Sequence, residues 1–197
     1  MGGVLLVLLT IITSVVVGLV RGGEPGRLLQ ANLRLLIALI VGAALLLGAA
    51  IATVVGTLAG VTPWMSLLGM IALLAFAVAN YRQPGMILFG LGVLCNLLVV
   101  TLNGGMPVTE ATLDKAGIDA VGGLAAARPD ALHVWADAGS KLLILGDLFA
   151  VRPLRAVVSL GDIAQYAGLF LLVQGLMLRG AGAERPSRYE MFDYRVR

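Results

Sequence analysis

The chain of 197 residues is 59% hydrophobic and 13% charged, with a mean hydropathy of +0.99. Soluble domains carry about 25% charged residues, so this composition excludes a water-soluble globular protein. The formal net charge of +3 comes from arginines beside apolar runs, where they suit anionic lipid headgroups, and it requires no nucleic-acid partner. The single cysteine, Cys95, excludes an intramolecular disulfide and a cysteine cluster around a metal.

Four apolar runs come before the polar middle of the chain, and each is close to or above the roughly 20 residues that cross a bilayer. They cover residues 4–20, 32–58, 62–81 and 84–102. The first run lacks the basic start and the cleavage pattern of a signal peptide, so we expect it to be a retained span. In the second run Gly42, Ala49 and Gly56 recur every seven residues, which favours close packing against another helix.

Residues 103–162 form the one long polar passage between apolar spans. We predict a loop over 103–128 that contains one short helix at about 109–116. A helical period returns over 131–150, and its apolar part is about half as long as a full crossing, so we predict a re-entrant or half-membrane helix there. One face of that helix would carry His133, Asp137, Ser140, Ile144 and Asp147.

The last span is predicted from Leu160 to Leu178. Ser159 and Asp162 fit a capping box at its start, in which each side chain accepts a hydrogen bond from the other residue's backbone N–H. Three glycines recur every seven residues along this span and predict a second face for helix packing. These glycines are Gly161, Gly168 and Gly175.

The predicted fold is all-α: a polytopic membrane helical bundle of about five transmembrane helices plus one re-entrant or half-membrane helix. Residues 1–180 would form a single transmembrane domain, with the extracytoplasmic loop and re-entrant helix at about 103–158, and 181–197 a cytoplasmic, basic and partly disordered tail. Arginines cluster in the first loop, the third loop and the tail. The positive-inside rule therefore places the N-terminus outside and the C-terminus in the cytoplasm.

Asp147 is the most informative polar residue in the passage. In the predicted half-membrane helix it would lie at membrane depth, at a cost of about 2.5–3.5 kcal/mol, and near a helix C-terminus that disfavours a carboxylate. We expect a partner to offset this cost: Arg152 or Arg155, the turn at Asn103-Gly104-Gly105, Asp162 or a bound cation. A structural Asp–Arg latch and a ligand, proton or ion site both remain open.

His133 and Asp137 stand four residues apart and could pair, which would raise the histidine pKa. One histidine and one cysteine do not supply a zinc site, and no phosphate-binding, nucleophile or metalloprotease motif occurs. We therefore predict no catalytic residue, no metal ligand and no cofactor. The candidate polar cluster comprises Asn103, Gly104, Gly105, His133, Asp137, Asp147, Arg152, Arg155, Ser159 and Asp162.

Four motifs taken together resemble a family of small bacterial membrane proteins that is known only as a domain of unknown function. The motifs are Asn103-Gly104-Gly105-Met106-Pro107, His133, Leu145-Gly146-Asp147 and Ser159-Leu160-Gly161-Asp162. The resemblance covers most of the chain, apart from the first span and the tail. It implies a multi-pass protein of the bacterial inner membrane and assigns no activity.

Two classes of function follow from the residues. A polar pocket on the extracytoplasmic side would bind or translocate a small solute, ion or lipid headgroup; alternatively, the polar motifs only lock the re-entrant helix in a structural or accessory subunit. A membrane-embedded hydrolase or transferase is the least favoured alternative, because no nucleophile or metal set accompanies His133. Expected partners are membrane lipids and, at the small-residue faces, a second copy of the chain or another membrane protein.

Overall fold

The computed structural model describes residues 2–58, 60–119 and 130–178. Five of its helices are long and apolar enough to cross a membrane, which confirms the predicted multi-pass helical fold. These helices are α1 (Gly2–Val20), α3 (Leu36–Val55), α4 (Thr62–Ala79), α5 (Met86–Asn103) and α7 (Leu160–Met177). Two short helices, α2 (Gly26–Leu29) and α6 (Glu110–Ala116), lie between them. The predicted tail, 181–197, lies outside the described residues.

The long helices pack in the order α3, α4, α5, α7, α1. A core of apolar side chains joins α4, α5 and α7, with Phe76, Met86 and Val93 almost completely buried. Large apolar side chains on the outer faces of the helices are exposed, for example Ile12, Ile37 and Val78. An inner core with an apolar outer surface is what a bundle surrounded by lipid requires, since lipid tails are as apolar as the core.

Glycines bring α5 and α7 into backbone contact. A Cβ added at Gly168 would meet the backbone of Gly85 and Phe89, and one at Gly161 would meet Gly92 and Asn96. The face predicted from Gly161, Gly168 and Gly175 is therefore confirmed as a helix-packing face, with Gly175 against the ring of Pro84. Small residues allow this separation because any larger side chain would force the backbones apart.

The face predicted on the second span is confirmed in part. Gly42 packs against the backbone of Gly69 and the side chain of Leu73 on α4, and Ala49 is buried. Gly56 has open space around it and instead ends α3 with a left-handed φ of 74°. It thus serves as a helix C-cap, a position that glycine occupies without steric cost.

Between α5 and α7 the chain forms a small polar unit, which we call the cap (residues 104–119 and 130–159). Its centre is a four-stranded sheet in the order β2-β1-β3-β4. β1 runs parallel to β2 and β3, whereas β3 and β4 are antiparallel. The strands are β1 (Met106–Val108), β2 (His133–Trp135), β3 (Asp147–Val151) and β4 (Ala156–Ser159).

The prediction of a re-entrant helix over 131–150 is wrong. That segment contains β2, a 3-10 turn at Leu143–Leu145 and the start of β3. The polar residues recur near the helical period by coincidence, and Gly139 and Gly146 interrupt the segment. The backbone groups of β2 and β3 form hydrogen bonds with β1 and β4 instead of with each other in a helix. The short helix predicted at 109–116 is confirmed as α6, with Thr109 as its N-cap.

The two ends of the bundle differ in charge. The cap lies at the end where α5 finishes and α7 begins, and Gly2 at the start of α1 contacts Leu154 and Ala156 of the cap. At the opposite end, the buried side chain of Asn80 binds the backbone of Arg34 through two hydrogen bonds of 2.8 Å. That end carries Arg21, Arg27, Arg34 and Arg82 with a single acidic residue, Glu24, in the described loops.

The glycine contacts predict that Gly168→Leu and Gly175→Leu destabilise the protein. Overpacking of a tight contact costs about 1–3 kcal/mol or more, because the helices must separate or the side chain must adopt a strained rotamer. We expect both variants to lower the melting temperature of the detergent-solubilised protein by several degrees. Ala75→Leu, on the exposed face of α4, is the control. Melting temperatures equal to the control for both glycine variants would contradict the α5–α7 packing.

Candidate functional site

A histidine and two aspartates form a hydrogen-bonded chain in the cap. Nδ1 of His133 lies 2.7 Å from Oδ2 of Asp130, and Nε2 of the same ring lies 3.0 Å from Oδ2 of Asp147. The sheet creates this arrangement, because His133 is the first residue of β2 and Asp147 the first of β3, on either side of β1. His133 and Asp147, 14 positions apart in the sequence, are thus brought into hydrogen-bond contact.

The chain of contacts runs from the surface of the cap into its interior. The side chains of Asp130 and His133 are 23% and 21% exposed, whereas that of Asp147 is 6% exposed. Asp130 is fixed locally, since its Oδ1 also accepts hydrogen bonds from the backbone N–H groups of Leu132 and His133 at 2.7 and 2.9 Å. Asp147 is fixed by strand pairing, opposite Val108 of β1 and Ser159 of β4.

The two carboxylates stabilise the charged form of the histidine. Burial alone would lower the pKa of His133, but hydrogen bonds to Asp130 and Asp147 and their charges outweigh it and raise the pKa to about 10. Burial would raise the pKa of Asp130, yet the hydrogen bond and charge of His133, with two backbone N–H donors, lower it to about 2. At neutral pH the pair is therefore an imidazolium bound to a carboxylate.

Asp147 has one carboxylate oxygen without a partner. Oδ2 interacts with His133, whereas Oδ1 is buried and accepts no hydrogen bond from any residue in the described part of the chain. Buried polar atoms are normally hydrogen-bonded, and leaving one unsatisfied costs about 1–3 kcal/mol, more for a charged group. Among the buried side-chain oxygens and nitrogens of the described residues, this oxygen is the one that lacks a hydrogen-bond partner.

A second polar network joins the cap to the bundle. Asn96 of α5 donates to Oδ1 of Asp162 at 2.6 Å and accepts from the Ser159 hydroxyl at 3.0 Å. Ser159 and Asp162 also form the predicted capping box, which is confirmed with both of its hydrogen bonds at 3.0 Å. This network is satisfied within itself, so it explains how α5 and α7 are held together at the cap.

The two networks meet at the start of α7. The charge of Asp147 acts on the carboxyl group of Asp162 and on the hydroxyl of Tyr166. In the described residues the combined cluster contains three carboxyl groups and one imidazole, so acidic groups outnumber basic ones. None of the lysines and arginines that the structure describes forms an ion pair with these carboxylates. Nor do three His, Cys, Asp or Glu side chains converge as metal ligands within the described ranges.

The structure gathers part of the predicted cluster and separates the rest. His133, Asp147, Ser159 and Asp162 lie together at the junction between cap and bundle. With Asp130, the second partner of His133, they form what we call the junction site. The Asn103 side chain instead clamps the backbone of Lys141, accepting from its N–H at 2.8 Å and donating to its C=O at 2.9 Å. Gly104 ends α5 with a left-handed φ of 69°, and Gly105 is buried before β1.

The expected charge partners of Asp147 and His133 lie elsewhere. Arg155 is exposed and lies 3.8 Å from Asp119, and Arg152 is exposed in the 3-10 turn before β4. Asp137 accepts from Gly139 N–H and the Ser140 hydroxyl in a turn of its own. Since His133 lies on a strand, residues four positions apart do not share a face, and Asp130 takes the place that the sequence suggested for Asp137.

Sequence reasoning missed Asp130 and a polar contact between α1 and α7. The Pro129-Asp130 pair is a turn signal, and an aspartate after proline commonly binds the following N–H groups. In the second contact, the Ser14 hydroxyl donates to the Phe170 carbonyl, and Gln174 donates to the Ser14 carbonyl and accepts from Arg21 at 3.0 Å. These bonds fix α1 to the end of α7 that lies far from the cap.

The His133 contacts predict an unusually basic imidazole whose charge supports folding. A pKa raised above the unfolded value of 6.5 gives stability that is fully present below pH 6.5 and lost as pH rises towards about 10. The lowered pKa of Asp130 gives stability above pH 3.8 that is lost towards about 2. The expected size is a few kcal/mol. NMR of histidine-labelled protein measures this directly, because the chain has one histidine.

Asp147→Asn should lower the His133 midpoint because it removes one of the two stabilising charges, whereas Asp137→Asn should leave it unchanged. A wild-type midpoint near 6.5, or an equal effect of both variants, would contradict the hydrogen-bonded chain.

Comparison with known protein families gives a match over most of the chain. The profile of a family described as "Family of unknown function (DUF5317)" matches residues 30–174, about three-quarters of the chain. The match begins before α3 and includes the cap and nearly all of α7. No curated protein and no solved structure is significantly similar to the chain. The chain therefore belongs to the DUF5317 family of unknown function, as the resemblance of its motifs to an uncharacterised family predicted.

Proposed function

We propose that this membrane protein binds a small solute, ion or lipid headgroup at the junction site, with translocation as an extension of binding. The observation that carries the proposal is the buried Oδ1 of Asp147, which has no hydrogen-bond donor within the described residues. This oxygen also lies close to a second acidic side chain, that of Asp162. A bound cation or N–H donor would satisfy this oxygen and offset the negative charge.

The accessory-subunit alternative rests on the Asn96–Ser159–Asp162 network. Those three residues hold the cap on the bundle without help from Asp147, because each of their bonds is made within the network. A purely structural role therefore explains Ser159 and Asp162 but not the unsatisfied Asp147. Buried groups that lower stability are typical of functional sites.

The geometry of His133 does not favour an enzymatic role. Both ring nitrogens of His133 face carboxylates, Nδ1 towards Asp130 and Nε2 towards Asp147. A general base needs a free ring nitrogen directed at the group that it deprotonates. An imidazolium with a pKa of about 10 is also a poor base at neutral pH.

We place the cap on the extracytoplasmic side of a bacterial inner membrane. Arg21, Arg27, Arg34 and Arg82 lie at the end of the bundle away from the cap, and five more arginines follow α7 in the sequence, against five basic residues between α5 and α7. Cytoplasmic loops carry the excess of arginine and lysine. The N-terminus, which contacts the cap, is then outside, and the end of α7 is in the cytoplasm.

Cysteine labelling tests this orientation. In a Cys95→Ala background, Ala111→Cys on α6 and Gln30→Cys near the arginines are both exposed positions. We expect an impermeant thiol reagent to label the first in intact bacterial cells and the second only after permeabilisation. The reverse labelling pattern would mean that the orientation in the membrane is opposite to the one proposed. Labelling of both positions in intact cells would contradict their location on opposite sides of the membrane.

Asp147→Asn separates a binding site from a latch. Asparagine retains an oxygen for the His133 N–H. It loses the attraction between Asp147 and the imidazolium, but it also removes the repulsion between Asp147 and Asp162, so replacing a binding-site residue should leave the melting temperature within a few degrees of the wild type. If Asp147 were a latch, breaking its buried ion pair would cost about 3–5 kcal/mol, or roughly 10 °C. Asp114→Asn, exposed on α6, changes the charge equally and serves as the control.

Native mass spectrometry completes the test. Wild-type protein purified in mild detergent should retain a bound small molecule that Asp147→Asn loses and Asp114→Asn keeps. A strong loss of stability in Asp147→Asn, without any bound mass on the wild type, would favour the accessory alternative.

A further inference from the structure

Building on the proposed function, we infer that the ligand of the junction site is an organic ammonium group that donates N–H hydrogen bonds. Two sources share this chemistry: the headgroup of an aminophospholipid and a free primary amine. The inference rests on the charge of the site, on the missing donor and on the position of the site relative to the helix ends.

The charge of the site selects a cation. Asp130, Asp147 and Asp162 contribute three carboxylates, and His133 supplies one positive charge that is shared between Asp130 and Asp147. In the described residues no lysine or arginine forms an ion pair with these carboxylates. Arg155 lies beside Asp119, and Arg152 is exposed. An anionic ligand would meet repulsion here, whereas a cation would restore balance.

The missing hydrogen bond selects a cation that carries N–H groups. Oδ1 of Asp147 needs a donor within hydrogen-bond distance. A primary ammonium offers three donors, and a quaternary ammonium of the same charge offers none. Hard metal ions prefer several oxygen ligands at once, and no group of three His, Cys, Asp or Glu side chains in the described ranges is placed to bind one.

The surroundings of the site bring it to the level of lipid headgroups. Asp147 is followed directly by Leu148 and Phe149, and Phe149 is 45% exposed. Ile163 in the first turn of α7 is also 45% exposed, beside Asp162. The 3-10 turn Leu143–Leu145 contacts both α5 and α7 and exposes Ile144. Acidic groups and exposed apolar side chains therefore alternate at the ends of two spanning helices, as an amphipathic lipid would require.

A lipid-competition experiment tests the ammonium class. The full chain is reconstituted in nanodiscs that contain equal amounts of phosphatidylethanolamine and phosphatidylcholine with the same acyl chains. The protein is then released from the nanodiscs, and native mass spectrometry measures which lipid stays bound to it. Phosphatidylethanolamine should be retained about tenfold over phosphatidylcholine, as expected for one charge-assisted hydrogen bond. Asp147→Asn should abolish this preference, and Asp114→Asn should keep it.

A second arm separates the two sources. In detergent without added lipid, ethanolamine should raise the melting temperature of the wild type more than choline does if the ligand is a free amine. Phosphatidylethanolamine preference with no ethanolamine effect identifies the lipid source. Either pattern supports the ammonium class, provided that it disappears in Asp147→Asn.

Other results overturn the inference in distinguishable ways. Equal retention of the two lipids, lost in Asp147→Asn, would refute N–H recognition and leave the proposed binding site intact. If the protein prefers neither headgroup and neither amine, and the Asp147→Asn variant is unstable, both the ammonium inference and the proposed binding site are refuted. If Asp147→Asn fails to fold, Asp162→Asn replaces it in the experiment. Asparagine at this position can still accept a hydrogen bond from the Ser159 N–H, but it removes a charge from the site. An unchanged preference for phosphatidylethanolamine in Asp162→Asn would count against the ammonium class.

Discussion

The glycine contact between α5 and α7 is the constraint on which the rest of the structure depends. Gly161 and Gly168 lie so close to the backbone of α5 that no side chain fits. Within lipid the hydrophobic effect does not hold helices together, so close packing and interhelical hydrogen bonds must do so. The contact places Asn96 beside Ser159 and Asp162, where its amide joins the capping box of α7 to α5. The helix spacing thus determines the polar network.

The same contact makes the cap feasible. Because the end of α5 and the start of α7 are fixed side by side, the chain between them closes a loop whose ends are already in place, which reduces the entropy cost of ordering it. β1 continues directly from α5, and β4 leads directly into α7. β3 then fits between them, opposite Ser159 of β4, so that Asp147 is brought towards Asp162. The acidic cluster is a consequence of strand register.

The sequence predicts the bundle well and the cap poorly, for a physical reason. A membrane helix satisfies all its backbone groups locally, so length and apolar composition suffice to find it. The capping box and the packing glycines are also local patterns. Strands of three to five residues depend on partners far along the chain, and over 131–150 the polar spacing imitates a helix. The helical spacing therefore pairs His133 with Asp137, whereas its partner in the fold is Asp130, whose local signal is the proline that precedes it in the sequence.

The distribution of charge connects the architecture to the proposed site. Four arginines lie at one end of the bundle, and the carboxylates of the junction site are held at the other. Placing Asp147 and Asp162 close together costs stability unless a positive charge joins them. His133 provides one such charge but divides it between Asp130 and Asp147. The buried oxygen that remains unsatisfied is thus a property of the whole fold: the helix contact fixes the strands, the strands fix the carboxylates, and the carboxylates leave a place for one more donor.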